Sequence, residues 1–90
     1  NGFAEECNNK EILDAILLLA RTEGIFTEPA GGVSVAVLQK MIEQGKIDKN
    51  DSVVCYVTGN GLKATEAIME VLQKPKVMKA NITEISAVVN

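Results

Sequence analysis

The sequence predicts an α/β fold, a three-layer α/β/α fragment in which helices cover both sides of a short parallel sheet. Three observations carry that expectation. Val53–Val57 is uncharged and has β-branched or aromatic side chains at four of its five positions, the pattern of a strand buried on both faces, as in parallel sheets. Aliphatic residues at helical spacing fill 9–23 and 33–44. The resulting order of helix, strand, helix, strand, helix is the order that builds parallel sheets.

Taken in sequence, Asn1–Cys7 has no clear period and reads as a loop or frayed end. Asn8 followed by Glu11 fits a capping box, which satisfies the first free amides of a helix. That helix runs from Asn9 to Glu23. Its Ile12, Leu13, Ile16, Leu17, Leu19 and Ala20 leave little polar face, so burial on more than one side is expected. Gly24 suits the left-handed position that ends a helix. Ile25–Glu28 is a short strand, closed by Pro29. A second helix is expected over Val33–Gln44, rich in valine but carried by the stripe through Met41 and Ile42 and capped by Gly45. After the central strand and the Gly59-Asn60-Gly61 turn, Thr65–Gln73 reads as a third helix, with Ala67, Ile68, Val71 and Leu72 inward. Lys74-Pro75-Lys76 breaks it. Val77–Ala80 is a candidate edge strand, and Asn81 caps a last helix over Glu84–Val88.

Composition narrows the functions available. Ninety residues make one small domain or a piece of a larger one, and a domain of this size buries only about 60% of its unfolded surface. Yet 47% of the chain is apolar. Either an oligomer or a larger parent protein must cover the excess, and Asn1 in place of Met favours a fragment. Nine basic and twelve acidic residues, net charge −3 and evenly spread, argue against nucleic acid and anionic membranes as partners. The longest apolar run, Ala15–Ala20, is too short to span a bilayer. Cys7 and Cys55 follow no metal or redox spacing, and Cys55 reads as a buried apolar residue of a reduced, cytoplasmic protein. With no histidine in the chain, Ser-His-Asp and Cys-His catalysis are excluded, together with most zinc sites, and no metal site is expected.

Two stretches stand where ligands of parallel sheets bind, just past the carboxyl end of a predicted strand and before a helix. One is Thr58-Gly59-Asn60-Gly61. It reads either as a turn whose glycines supply positive φ or as a set of donors, with the Thr58 hydroxyl, facing a bound group. The other is Glu28-Pro29-Ala30-Gly31-Gly32, either a Pro-opened helix start or a ligand-lining backbone. Gly59–Ala64 also matches a dinucleotide fingerprint, but the acidic ribose ligand expected about 20 residues on is missing, since that position is Lys79.

Together with Ile12–Ile16 and Leu19–Phe26, the blocks Glu28–Gly32 and Thr58-Gly59-Asn60-Gly61-Leu62-Lys63 resemble the C-terminal part of the threonine synthase family, within the fold-type II, tryptophan-synthase-β-like pyridoxal-phosphate enzymes. The resemblance is firmest over Asn9–Lys63, and residues 1–90 would form the C-terminal portion of the cofactor-binding domain of a longer enzyme. It implies a pyridoxal-phosphate-dependent conversion of O-phosphohomoserine and water to threonine and phosphate. Thr58 would hydrogen-bond the cofactor's pyridine nitrogen, and Glu28, Ala30, Gly31 and Gly59 would line the same side of the cleft. The family's Schiff-base lysine falls upstream of the matched region, so no catalytic residue is assigned and the isolated chain is expected to be inactive. The Glu28 block alone also suits a threonine or serine dehydratase, and a standalone binding module is a third reading. The implied partners are the substrate, the remainder of the enzyme chain and a second copy in a homo-oligomer.

Overall fold

A computed structural model describes residues 2–89; Asn1 and Asn90 lie outside the described residues. Its scaffold is a pair of packed helices, α1 (Asn9–Glu23) and α2 (Pro29–Glu43), followed by a 3-10 turn (Gly61–Lys63), a single turn α3 (Glu66–Met69) and α4 (Ile82–Val89). The helix pair holds most of the core, with Ala15, Ile16 and Ala36 buried, and Ile68 of α3 joins it.

Local chemistry explains where these helices begin and end. Asn8 Oδ1 accepts the Glu11 amide at 2.9 Å, and Gly24 closes α1 at φ 68, its amide donating to Ala20 O. Helix α2 starts four residues earlier than the aliphatic stripe predicts. Pro29 is already at helical φ in the first turn, and Glu28 O accepts the Gly31 and Gly32 amides at 3.0 and 3.1 Å. At the other end, Lys46 N donates to Met41 O and Gly45 N to Ile42 O around Gly45 at φ 73, the paired bonds of a Schellman stop. Tight contact between the helices requires Gly32. A Cβ there would stand 2.7 Å from Ile16 Cγ1 and 3.1 Å from Ile12 O.

The expected parallel sheet and third layer are not what the described residues form. They contain no strand, only an isolated antiparallel bridge between Thr27 and Asn60. Val53–Val57 runs extended against α2, and its alternate residues Val54 and Tyr56 are 83% and 77% exposed. The other face is covered only in part, with Val53 48% and Val57 36% exposed and Cys55 half-buried. A run of β-branched residues encodes an extended backbone; a strand also needs a neighbouring backbone, and none lies alongside this run. The same reason leaves Val77–Ala80 without a sheet. The third helix is one turn long because only Ile68 finds a core to enter. Helix α4 is properly capped, Glu84 N donating to Asn81 Oδ1 at 2.8 Å, yet buries no residue. Helix α1 fully buries only Ala15 and Ile16, less than its apolar surface suggested.

The N-terminal segment is a strap held on α2 and not a frayed end. Lys40 Nζ donates to Glu6 O at 2.7 Å and pairs with Glu11 at 2.8 Å. Gln44 Nε2 donates to Glu5 at 2.9 Å, and Lys46 stands 5.7 Å over the Phe3 ring. The Glu6 amide, then Gln44, holds the Glu5 carboxyl below its ordinary 4.5. Lys40 does the same to Glu11, and Lys40 is itself raised above 10.5.

Two outcomes follow from this packing. Gly32→Ala gains at most about 1 kcal/mol of helix propensity and meets an overpacking cost of about 1–3 kcal/mol. Its urea midpoint should therefore fall. Because the Glu5 and Glu11 values are depressed in the fold, their contribution is complete above the ordinary carboxylate value and is lost as pH drops through the lowered one. Lys40 has the opposite sign, its contribution lost as pH rises through its raised value. Urea midpoints measured between about pH 6 and pH 3 should decline, and Glu11→Gln should flatten part of that decline, modestly, since these groups are at the surface.

Candidate functional site

The two singled-out stretches meet at one corner of the molecule. Glu28 N donates to Gly59 O at 3.0 Å and Gly61 N donates to Phe26 O at 2.9 Å, which makes the Thr27–Asn60 bridge. Convergence therefore comes from an antiparallel contact and not from two loops on one rim of a parallel sheet. Thr58 enters the corner, Glu28 leaves it as the residue capping α2, and Ala30 and Gly31 follow in the first turn of that helix.

The glycines here serve close approach. None of Gly31, Gly59 or Gly61 has positive φ, in contrast to the turn geometry expected from the sequence. A Cβ on Gly59 would run into the Glu28 carboxylate, and one on Gly61 would enter the Phe26 ring. The bare face of Gly31 is filled by the Thr27 side chain, with Val57 Cγ1 also close.

Each candidate residue has a distinct setting. Thr58 is exposed, and its hydroxyl takes no part in the hydrogen bonds that build the corner. Gly59 and Glu28 are half-buried, Ala30 is exposed and Gly31 is buried. Asn60 Oδ1 accepts the Leu62 amide at 2.9 Å and so starts the 3-10 turn. Lys63 Nζ reaches within 3.7 Å of Glu28 Oε2; Lys63 is largely exposed, so the pair is a weak restraint. The dinucleotide fingerprint lacks its context, because no strand precedes the turn and a three-residue 3-10 turn replaces the long helix.

Two participants were not picked out from the sequence. Phe26 packs its ring on Gly61. Thr27 is buried at 1% exposure, with Oγ1 3.1 Å from Gly59 O and 3.2 Å from Glu28 O. The available signal was a hydroxyl directly after the apolar pair Ile25–Phe26 and before Glu28.

Thr58 presents an exposed, neutral hydroxyl on the rim of this corner, a group that can meet a flat heteroaromatic ring, while the bare faces of Gly31, Gly59 and Gly61 are taken up by Thr27, Glu28 and Phe26. Among the described residues no three His, Cys, Asp or Glu side chains gather as a metal site, and no helix is long and apolar enough to cross a membrane.

The family model for pyridoxal-phosphate dependent enzymes matches residues 1–59. Threonine synthase of Methanocaldococcus jannaschii is 46% identical over 74 residues, which is 82% of this chain and 18% of the relative. That of Methanosarcina acetivorans is 44% identical over 84 residues, 93% of this chain and 21% of the relative. Threonine synthase of Halalkalibacterium halodurans is 47% identical over 72 residues, 80% and 20% respectively. The chain thus spans about a fifth of the length of these relatives. With the family model matching residues 1–59 and relatives 44–47% identical over 80–93% of its length, the chain belongs to the pyridoxal-phosphate dependent enzymes.

Proposed function

We propose that this chain forms one active-site wall of a cytoplasmic threonine synthase, the wall facing the ring nitrogen of pyridoxal phosphate, in a protein that turns O-phosphohomoserine and water into threonine and phosphate. The observation that carries the reading is the position of Thr58. Its hydroxyl is exposed and uncommitted on a corner pinned to Glu28 by main-chain hydrogen bonds. The names of the relatives supply the reaction.

The cofactor, when bound, supplies an electron sink for carbanion chemistry. Thr58 acts on that sink from the protein side. A hydroxyl donates a hydrogen bond to the pyridine nitrogen but does not ionise near neutral pH, so it orients the ring without fixing a proton on it. A carboxylate at the same place would hold the nitrogen protonated. The small, exposed Ala30 leaves room on the neighbouring rim, Gly59 lets the Glu28 carboxylate lie against its backbone, and the buried Gly31 makes room for the Thr27 side chain. No residue of this wall is assigned the covalent role of the cofactor-bearing lysine, so the 90 residues alone are inactive in this reading.

The rest of the enzyme and a second copy are the proposed partners. An open groove of ≈ 400 Å³ lies between the helix pair and the extended segment, lined by Leu18, Ile25, Leu38, Ile42, Cys55 and Val57 among others. Val54, Tyr56 and Val77 are largely exposed, and unpaired apolar surface of this kind favours association.

Replacing the matching segment of the M. jannaschii enzyme with this chain tests the function. The chimera should form threonine and phosphate from O-phosphohomoserine, while the 90-residue chain alone does not. Thr58→Val in the chimera should lower kcat/KM by about 10- to 100-fold, the worth of a hydrogen bond to the reacting group. A folded, cofactor-loaded chimera with no activity, or one indifferent to Thr58→Val, would sink the proposal. Sedimentation of the isolated chain at micromolar concentration should reveal dimers or larger species; a clean monomer counts against self-association.

A further inference from the structure

We propose that Thr27 is a positioning residue that acts through Gly59 to set the direction of the Thr58 hydroxyl. The proposal rests on the cofactor-wall reading of Thr58 and adds a residue that neither the sequence patterns nor that reading assigns.

Among the described residues Thr27 is the one buried polar side chain, at 1% exposure. Burying a hydroxyl is unfavourable unless it is hydrogen-bonded, and this one has two main-chain carbonyls within reach, Gly59 O at 3.1 Å and Glu28 O at 3.2 Å. A bond to the adjacent Glu28 would satisfy it as any buried threonine is satisfied. The contact with Gly59 is different in kind, because it spans 32 positions of chain and ends on the residue directly after Thr58.

That residue most needs restraint. Gly59 is without a side chain because the Glu28 carboxylate occupies the space where a Cβ would stand. Glycine's backbone is otherwise free to rotate, and rotation there would swing Thr58 relative to α2. The Glu28 amide donates to Gly59 O at 3.0 Å, and the single Thr27 hydroxyl proton, which also has Glu28 O within reach, adds a second donor there; together they anchor the Gly59 carbonyl. The surroundings are built to hold the second donor, since the absence of a side chain on Gly31 makes the room that Thr27 fills. Thr27 therefore reaches no bound molecule itself; it fixes the Gly59–Asn60 peptide plane on one side of Thr58, while Val57 packs against Gly31 on the other.

The test is a double-mutant cycle in the full chain that carries these residues, loaded with pyridoxal phosphate, reading the absorption spectrum of the bound cofactor and kcat and KM separately. Thr27→Val keeps the shape and removes the donor. It should lower kcat by about tenfold, the scale of one lost buried hydrogen bond, leave KM nearly unchanged and shift the cofactor spectrum. Thr27→Ser, which keeps the hydroxyl, should restore kcat and spectrum to near the parent's. In a Thr58→Val background, Thr27→Val should have little further effect, because coupled residues are not additive. If Thr27→Val costs as much in that background as in the parent, the positioning role is overturned while the reading of Thr58 stands. If Thr58→Val alone changes neither kcat nor spectrum, the reading of Thr58 fails and the positioning role fails with it. Should Thr27→Val not fold, Thr27→Ala against Thr27→Ser makes the same comparison, and equal behaviour of those two overturns the proposal.

Discussion

Two main-chain hydrogen bonds, Glu28 N to Gly59 O and Gly61 N to Phe26 O, hold together everything this chain offers as a site. They join segments whose side chains would otherwise keep them apart, and they are possible because Gly59 and Gly61 present only backbone on the contact side. Glu28 lies over the first of these glycines and Phe26 over the second. A larger residue at either position would separate the segments by more than a hydrogen bond can span. The bridge is small, and Thr27 at its centre is buried.

The helix pair gives the bridge its fixed frame. Only the cap residue Glu28 separates the bridged Thr27 from α2, which opens at Pro29, so no flexible linker separates the corner from the core. Gly32, one turn into α2, rests against Ile16 and Ile12 of α1. Through that contact the position of Glu28 is tied to the longest and best-packed part of the molecule. Sites built on helix ends in this way keep their geometry better than sites carried on free loops. The N-terminal strap, clipped to α2 by Lys40 and Gln44, adds weight to the far end of the same helix.

Away from that frame the chain buries little. Its radius of gyration is 17.2 Å and its extents are 60 × 26 × 19 Å, against about 12 Å expected for a compact domain of this length. The apolar residues of 53–57 and of α4 stand largely open to solvent. Their hydrophobicity asks for partners that these residues do not provide to one another, which is in keeping with a chain about a fifth as long as its relatives.

Local signals in the sequence determined a good deal. Asn8, Gly24, Pro29 and Gly45 mark helix boundaries because capping and left-handed backbone are properties of a few adjacent residues. The motifs around Glu28 and Thr58 were legible for the same reason, as short runs with distinctive chemistry. Tertiary structure alone decided that Val53–Val57 lies unpaired, that the two motifs meet through an antiparallel bridge, and that Thr27 stands between them. Strand pairing and the burial of one hydroxyl depend on which distant backbone arrives alongside, and no periodicity within a segment records the identity of its neighbour.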